Sequence, residues 1–145
     1  MTWAEYGELA HALALAVHEH RPDVVVGIVR GGAVVGSTLS FQLGVEFYPV
    51  RLKKAHSATR VVVPPSPELV GMRVAIVDDL SESGDTFRIA RHELAGVGVA
   101  EITTVALVRR VPGFSPDVWA SEIADKVRFP WAAEQMAKGV LEKRQ

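Results

Sequence analysis

The stretch VAIVDDLSESGDT, from Val74 to Thr86, decides the reading of this chain. It opens on Val74, Ala75, Ile76 and Val77, a short apolar run that suits a strand buried on both faces. Two adjacent carboxylates, Asp78 and Asp79, follow at its carboxyl end. A loop of small and hydroxylated residues comes next, with Ser81, Ser83, Gly84 and Thr86, and a helical pattern begins at Thr86. The first N–H groups of a helix lack intrahelical partners, and the helix dipole adds positive charge there, so such a turn binds phosphate. Ser83 and Thr86 add hydroxyl donors, and Gly84 lets the backbone approach closely. Carboxylates do not suit phosphate; they suit sugar hydroxyls, or Mg2+ held through water. The layout fits a ligand with a sugar at one end and a phosphate at the other. An acidic turn that caps a helix is the plainer explanation, but a cap needs one such residue. This loop supplies two acids from a buried strand, then Glu82 and a glycine in order.

The same reasoning extends outward. Thr2 and Glu5 form a capping-box pattern. Trp3, Tyr6, Leu9, Ala10, Leu13 and Val17 recur at helical spacing, which predicts a helix to about His20. Arg21-Pro22-Asp23 breaks it. Val24 to Val29 reads as a buried strand, Arg30-Gly31-Gly32 as a turn, and Ala33 to Leu43 as a helix stopped by Gly44. A strand over Val45 to Leu52 leads into a mobile excursion, about 53–71, with Pro64, Pro65 and Pro67 and room for a short strand at Thr59 to Val63. Met72 to Val77 is a third strand, Asp78 to Asp85 a loop, Thr86 to Val97 a helix and Glu101 to Val108 a fourth strand. The tail mixes proline, tryptophan and charge before a final helix from about Trp131. Strands alternating with helices predict an α/β fold: one domain over 1–145 with a mostly parallel central sheet and helices on both faces. In such sheets, ligands sit at the carboxyl ends of the strands.

Composition narrows the function classes. The 145 residues carry a net charge of -1, with 48% hydrophobic and 23% charged residues. That balance lacks the basic excess of a nucleic-acid binder. There are no cysteines, which excludes disulfides, thiolate metal sites and cysteine nucleophiles. The start of the chain has no signal-peptide pattern, and no apolar run is long enough to span a bilayer, so a cytoplasmic protein without a membrane partner is expected. The five histidines, His11, His18, His20, His56 and His92, show no metal-ligand spacing.

The turn Arg30-Gly31-Gly32 also lies between a strand and a helix. A Walker A loop needs lysine after Gly36, where Ser37 stands, and the glycine spacing does not match a dinucleotide fingerprint. Taken alone, it is equally a tight turn that lets a helix pack on a strand.

The Val74–Thr86 segment resembles the phosphoribosyl pyrophosphate (PRPP) motif of type I phosphoribosyltransferases: apolar strand, two acids, then a loop ending in a Thr-Gly-x-Thr pattern. Glu82 stands where aspartate is more common, and Ser83 where threonine is. The resemblance implies that Asp78 and Asp79 orient the ribose and its Mg2+, and that Glu82 handles a proton of the attacking base. Ser81, Glu82, Ser83, Gly84, Asp85 and Thr86 would hold the 5-phosphate. It further implies that Arg30, Gly31 and Gly32 meet the pyrophosphate, through a non-proline cis peptide placed at Arg30–Gly31. Lys53 or Lys54 would help from a loop that closes over the site. The family's C-terminal hood would cover about 109–134. There Arg128-Phe129-Pro130-Trp131 resembles a segment of the xanthine–guanine-type enzymes. Arg109 matches a lysine that contacts the purine 6-oxo group, and Trp119, Phe129 and Trp131 are stacking candidates. Two departures are Lys126, near the usual stacking aromatic, and Ala132, in place of an acid. The implied function is phosphoribosyl transfer from PRPP to a nitrogenous base, with a 6-oxopurine expected, in purine salvage. A homo-oligomer, dimer or tetramer, is also implied. The rival readings are a regulatory protein of the same fold that binds PRPP or nucleotides, and a flavodoxin-like phosphoacceptor using Asp78, which leaves the glycine turn unexplained.

Overall fold

Two valine-rich strands form the centre of the molecule. In the computed structural model, which describes residues 1–55 and 58–132, β1 (Val24–Val29) lies beside β4 (Arg73–Ser81), with Val24–Ile28 and Val74–Val77 buried. β2 (Glu46–Ala55) and β3 (Ala58–Val63) extend the sheet on one side, β5 (Glu101–Arg110) and β6 (Val118–Ile123) on the other. The order is β3-β2-β1-β4-β5-β6, and every neighbouring pair is parallel except β2 with β3.

Helices cover both faces, as the alternation predicts. α1 (Trp3–His18) and α2 (Gly31–Leu43) pack on one face with Leu13, Val17, Val35 and Leu39 against Val25, Ala75 and Leu107. α3 (Asp85–Val97) covers the other, where Phe87, Ala90 and Leu94 meet Val26, Ile28 and Ile76. The caps follow the sequence. The Glu5 N–H donates to Thr2 Oγ1 at 3.1 Å and the Thr2 N–H to Glu5 Oε2 at 3.4 Å, and Gly44 closes α2 in the left-handed region at φ 68°.

The structure departs from the sequence reading in four places. β4 does not stop at Val77; it runs through both acids to Ser81, because β5 continues beside it and keeps pairing at Asp78, Leu80 and Ser81. β2 likewise continues through Lys53 and Lys54, which pair with Arg60 and Thr59 of β3. The first part of the expected excursion is therefore an antiparallel ribbon, whose β3 contains the short strand expected at Thr59 to Val63, and a short 3-10 helix follows at Pro67–Leu69. The third departure is β6, which runs parallel to β5 after only residues 111–117. Parallel neighbours usually need a crossover of a dozen or more residues. Here Val118 pairs with Val105, halfway along β5, so the chain need only drop back half a strand. Last, α2 begins at Gly31 rather than Ala33. The final helix expected from about Trp131 lies, beyond Ala132, outside the described residues.

Candidate active site

The two loops singled out in the sequence meet at the carboxyl end of the sheet. Gly31 and Gly32, the first turn of α2, press against the end of β4. A Cβ on Gly31 would overlap Asp79 Oδ2 and Cγ and lie 3.0 Å from Oδ1, and one on Gly32 would lie 3.1 Å from the Cα of Asp78. Only residues without side chains bring that helix start so near the carboxylates. The acids are held by the backbone beside them: the Asp79 N–H donates to Asp78 Oδ1 at 2.9 Å and the Leu80 N–H to Asp79 Oδ1 at 2.8 Å.

Both acids border a cavity of about 290 Å³, whose walls also include Lys54, Ser81, Ser83 and Thr86. Burial pushes the Asp78 carboxyl well above the usual range; the neighbouring Asp79 charge adds to the rise and Lys54 opposes it. Burial also raises Asp79, against its hydrogen bonds. A pair in this state favours a bound cation or a shared proton. Among the described residues no group of three or more metal-ligating side chains gathers. A cation here would draw most of its ligands from substrate and water, as Mg2+ commonly does.

Gly84 takes φ 84° at the N-cap of α3, a conformation that side chains resist. Ser83 Oγ accepts from the Asp85 N–H at 3.3 Å. Ser83, Gly84 and Thr86 border the cavity at the N-terminus of α3, the end of a helix that favours an anion. Asp85 itself is exposed and pairs with Arg88 at 3.7 Å. The return loop between β5 and β6 braces the turn from behind. The Phe114 N–H donates to the Glu82 carbonyl at 2.8 Å, Ser81 Oγ donates to the Phe114 carbonyl at 3.4 Å, and the Phe114 ring stands where a Cβ on Gly84 would be 2.5 Å from it.

A family model described as a phosphoribosyl transferase domain matches residues 2–135. The chain belongs to the phosphoribosyl transferase family. Adenine phosphoribosyltransferase of Rhodospirillum centenum is 34% identical over 66% of this chain and 63% of its own length. Its counterpart in Synechococcus sp. is 33% identical, over 73% of this chain and 67% of its own. The chain thus spans about six-tenths of the first of these relatives. A purine phosphoribosyltransferase from Pyrococcus horikoshii superposes with a TM-score of 0.85 at 28% identity, covering 90% of this chain and 91% of that one. A xanthine-guanine-hypoxanthine phosphoribosyltransferase from Helicobacter pylori shares the fold, with a TM-score of 0.81 at 15% identity, covering 96% of each chain.

Of the residues expected in the site, Arg30, Gly31, Gly32, Lys53 and Asp85 are not among those lining the cavity, whereas Glu82 is. A non-proline cis peptide is present, but it joins Val29 to Arg30, one bond before the expected Arg30–Gly31. Gly31 is already the first residue of α2, which leaves the earlier bond at the strand–helix junction. Arg30 is exposed at the N-cap position of α2. Of the two lysines, Lys54 borders the cavity, while Lys53 is its neighbour on the alternating strand and is not among the lining residues. The Glu82 carboxylate is drawn to Arg110 at 3.4 Å, and Arg110 also donates to the Asp125 carbonyl at 2.7 Å.

The expected base-binding groups are engaged elsewhere. Arg109 pairs with Glu122 at 2.9 Å, donates to the Gly113 and Phe114 carbonyls at 3.3 Å, and lies 5.2 Å over the Trp119 ring. Phe129 and Trp131 stack on each other at 4.8 Å, and Trp131 meets Tyr6 edge-on at 5.2 Å. They hold the tail against α1 and do not line the cavity. Sequence reasoning missed Arg110 and Phe114. Neither belongs to a motif, and their partners in the 81–84 turn lie about thirty positions away.

Proposed function

We propose that this chain transfers the 5-phosphoribosyl group of PRPP to a purine base, releasing pyrophosphate and giving a nucleoside 5'-monophosphate. One observation carries the reading: the Gly31–Gly32 turn packs against Asp79 and Asp78, and these two acids share a cavity with Ser83, Gly84 and Thr86 at the start of α3. The cavity thus offers groups suited to ribose and 5-phosphate, and the glycine turn suited to pyrophosphate packs beside its acids.

In this mechanism a ring nitrogen of the purine attacks C1 of the ribose. The bond from C1 to the pyrophosphate oxygen breaks, and the base loses a proton. The transition state carries positive charge at C1 and growing negative charge on the leaving group, so stabilisation is mainly electrostatic. Asp78 and Asp79 orient the ribose hydroxyls and would hold Mg2+. When bound, Mg2+ neutralises the leaving pyrophosphate. Lys54 adds positive charge on the same side. The turn from Ser83 to Thr86 grips the 5-phosphate by backbone N–H groups and hydroxyls. Glu82 takes the proton of the base once its carboxylate turns from Arg110.

Among purines, Arg109 was the motive for expecting a 6-oxopurine, and its donors are spent on Glu122 and two carbonyls. The relatives at 30% identity or more are adenine enzymes, which makes adenine the first base to assay and hypoxanthine the second. The test is pyrophosphate release from PRPP and Mg2+ with adenine, hypoxanthine, guanine and xanthine in turn. Turnover with one of them, lost by about a hundredfold in Asp78→Asn/Asp79→Asn with an unchanged circular dichroism spectrum, is expected. PRPP binding without turnover for any base would mean a regulatory protein instead.

A further inference from the structure

A second cavity, of about 330 Å³, shares Ser83, Gly84 and Phe87 with the first, but its other walls come from α3, β5 and the return loop. Its volume falls at the small end of ligand sites. Two aromatic rings, Phe87 and Phe114, lie 6.0 Å apart at 33° and form an apolar wall. Arg88 and Arg91, one turn apart on α3, stand at its border. Arg88 is exposed and held by Asp85 only at 3.7 Å, a contact worth little in water. Arg91 has no ion-pair partner among the described residues. Among the lining residues two guanidiniums face the one carboxylate of Asp85, and the Asp117 carboxylate lies behind Thr104 outside the lining. Thr104 at its base is already bonded to Asp117 at 3.1 Å.

We propose that this second cavity is a binding site for a small planar aromatic anion, and that occupancy is coupled to the phosphate-binding turn. The ring packs on Phe87 and Phe114, and the anionic group meets Arg91 with Arg88 as a second donor. Coupling follows from Phe114. Its ring stands against Gly84, its N–H holds the Glu82 carbonyl and its carbonyl takes the Ser81 hydroxyl. A ligand that shifts or fixes this ring biases the turn on its other side, and linkage requires the effect to be reciprocal. The coupling rests on the PRPP reading above; the site does not.

The test is a 15N–1H NMR titration of the full chain with naphthalene-2-sulfonate, the neutral 2-naphthalenemethanol and inorganic sulfate. Saturable shifts at Gly84, Arg88, Arg91 and Phe114 are expected with the sulfonate. Binding should weaken by about fivefold in Arg91→Ala and by a similar factor for the neutral ring. Sulfate should shift residues 83–86 and Phe114 and spare Arg91. Saturating sulfonate should change the PRPP affinity by the same factor as PRPP changes that of the sulfonate. Sulfonate binding that ignores Arg91→Ala, or that PRPP abolishes by simple competition, overturns the site. Failure of PRPP to bind at all, with Arg91-dependent sulfonate binding intact, would sink the proposed function and leave this site standing.

Discussion

The contact between Gly31 and Asp79 is the sharpest place to test this molecule. In Gly31→Ala the new methyl would overlap the Asp79 carboxylate, with Oδ1 at 3.0 Å and the other two atoms nearer. Nonbonded heavy atoms settle at roughly 3.5–4.0 Å, so either the carboxylate swings aside or the start of α2 lifts off β4. The first outcome sacrifices the hydrogen bond from the Leu80 N–H to Asp79 Oδ1. The second loosens the turn proposed to meet the pyrophosphate. Overpacking of this kind costs about 1–3 kcal/mol. Alanine's better helix propensity returns at most about 1 kcal/mol, less at a helix start. A net loss of about 1 kcal/mol is therefore expected in urea unfolding. Activity should fall much further, by about a hundredfold in kcat/KM, because a displacement near 1 Å at a reacting centre has that effect. Gly7→Ala is the control: nothing lies within 4 Å of its Cβ, and it should gain about 0.5–1 kcal/mol at full activity. The double variant Gly31→Ala/Asp79→Ala should recover stability but not turnover, a coupling of about 1 kcal/mol. Wild-type kcat/KM and unfolding free energy in Gly31→Ala would refute the contact and the site built on it.

Asp78→Asn should lower turnover by about tenfold or more yet stabilise the fold by about 0.5–2 kcal/mol, read by thermal unfolding. Because burial raises Asp78 in the folded state, the native protein holds that proton more tightly than the unfolded chain. Its contribution is therefore favourable at low pH and is lost as pH rises from the ordinary aspartate range through the raised value. The advantage of Asp78→Asn should grow over that window and then level off. Gly84→Val combines a left-handed backbone with a clash against Phe114, and calorimetry should show PRPP affinity reduced by about tenfold or more. Trp131→Ala should lower stability by about 2 kcal/mol or more while leaving kcat/KM for the base within twofold, since that ring packs on Tyr6 and Phe129. A purine-specific KM effect would return it to the base site.

What was legible in the chain was local. The strand Val24–Val29, the α1 cap and the Gly44 stop each depend on neighbouring residues, and they stand where the sequence placed them. The acid pair and the glycine turn were recognisable because their chemistry is written in consecutive residues. Strand ends were not, because β4 continues past Val77 only while β5 pairs beside it. β6 was missed because short parallel returns are uncommon, and VWASEI carries no strong alternation. Side-chain allegiance was the least legible. Arg109 looked like a selector of bases until Glu122, thirteen positions on, took its charge. Glu82 does line the cavity, but its ion pair with Arg110, twenty-eight positions on, could not be read from the sequence.

The short return between β5 and β6 has a consequence for how this chain can change. Surface loops ordinarily absorb added or lost residues cheaply. Residues 111–117 cannot, because one loop length must satisfy two appointments at once. Phe114 has to reach Gly84 and the Glu82 carbonyl, and Val118 has to fall into register beside Val105. A single inserted residue would shift β6 by one position, turning Trp119 inward and Val118 out, or else pull Phe114 off the turn. Length variation among natural or designed descendants should therefore spare this stretch, although it contributes no reacting group of its own.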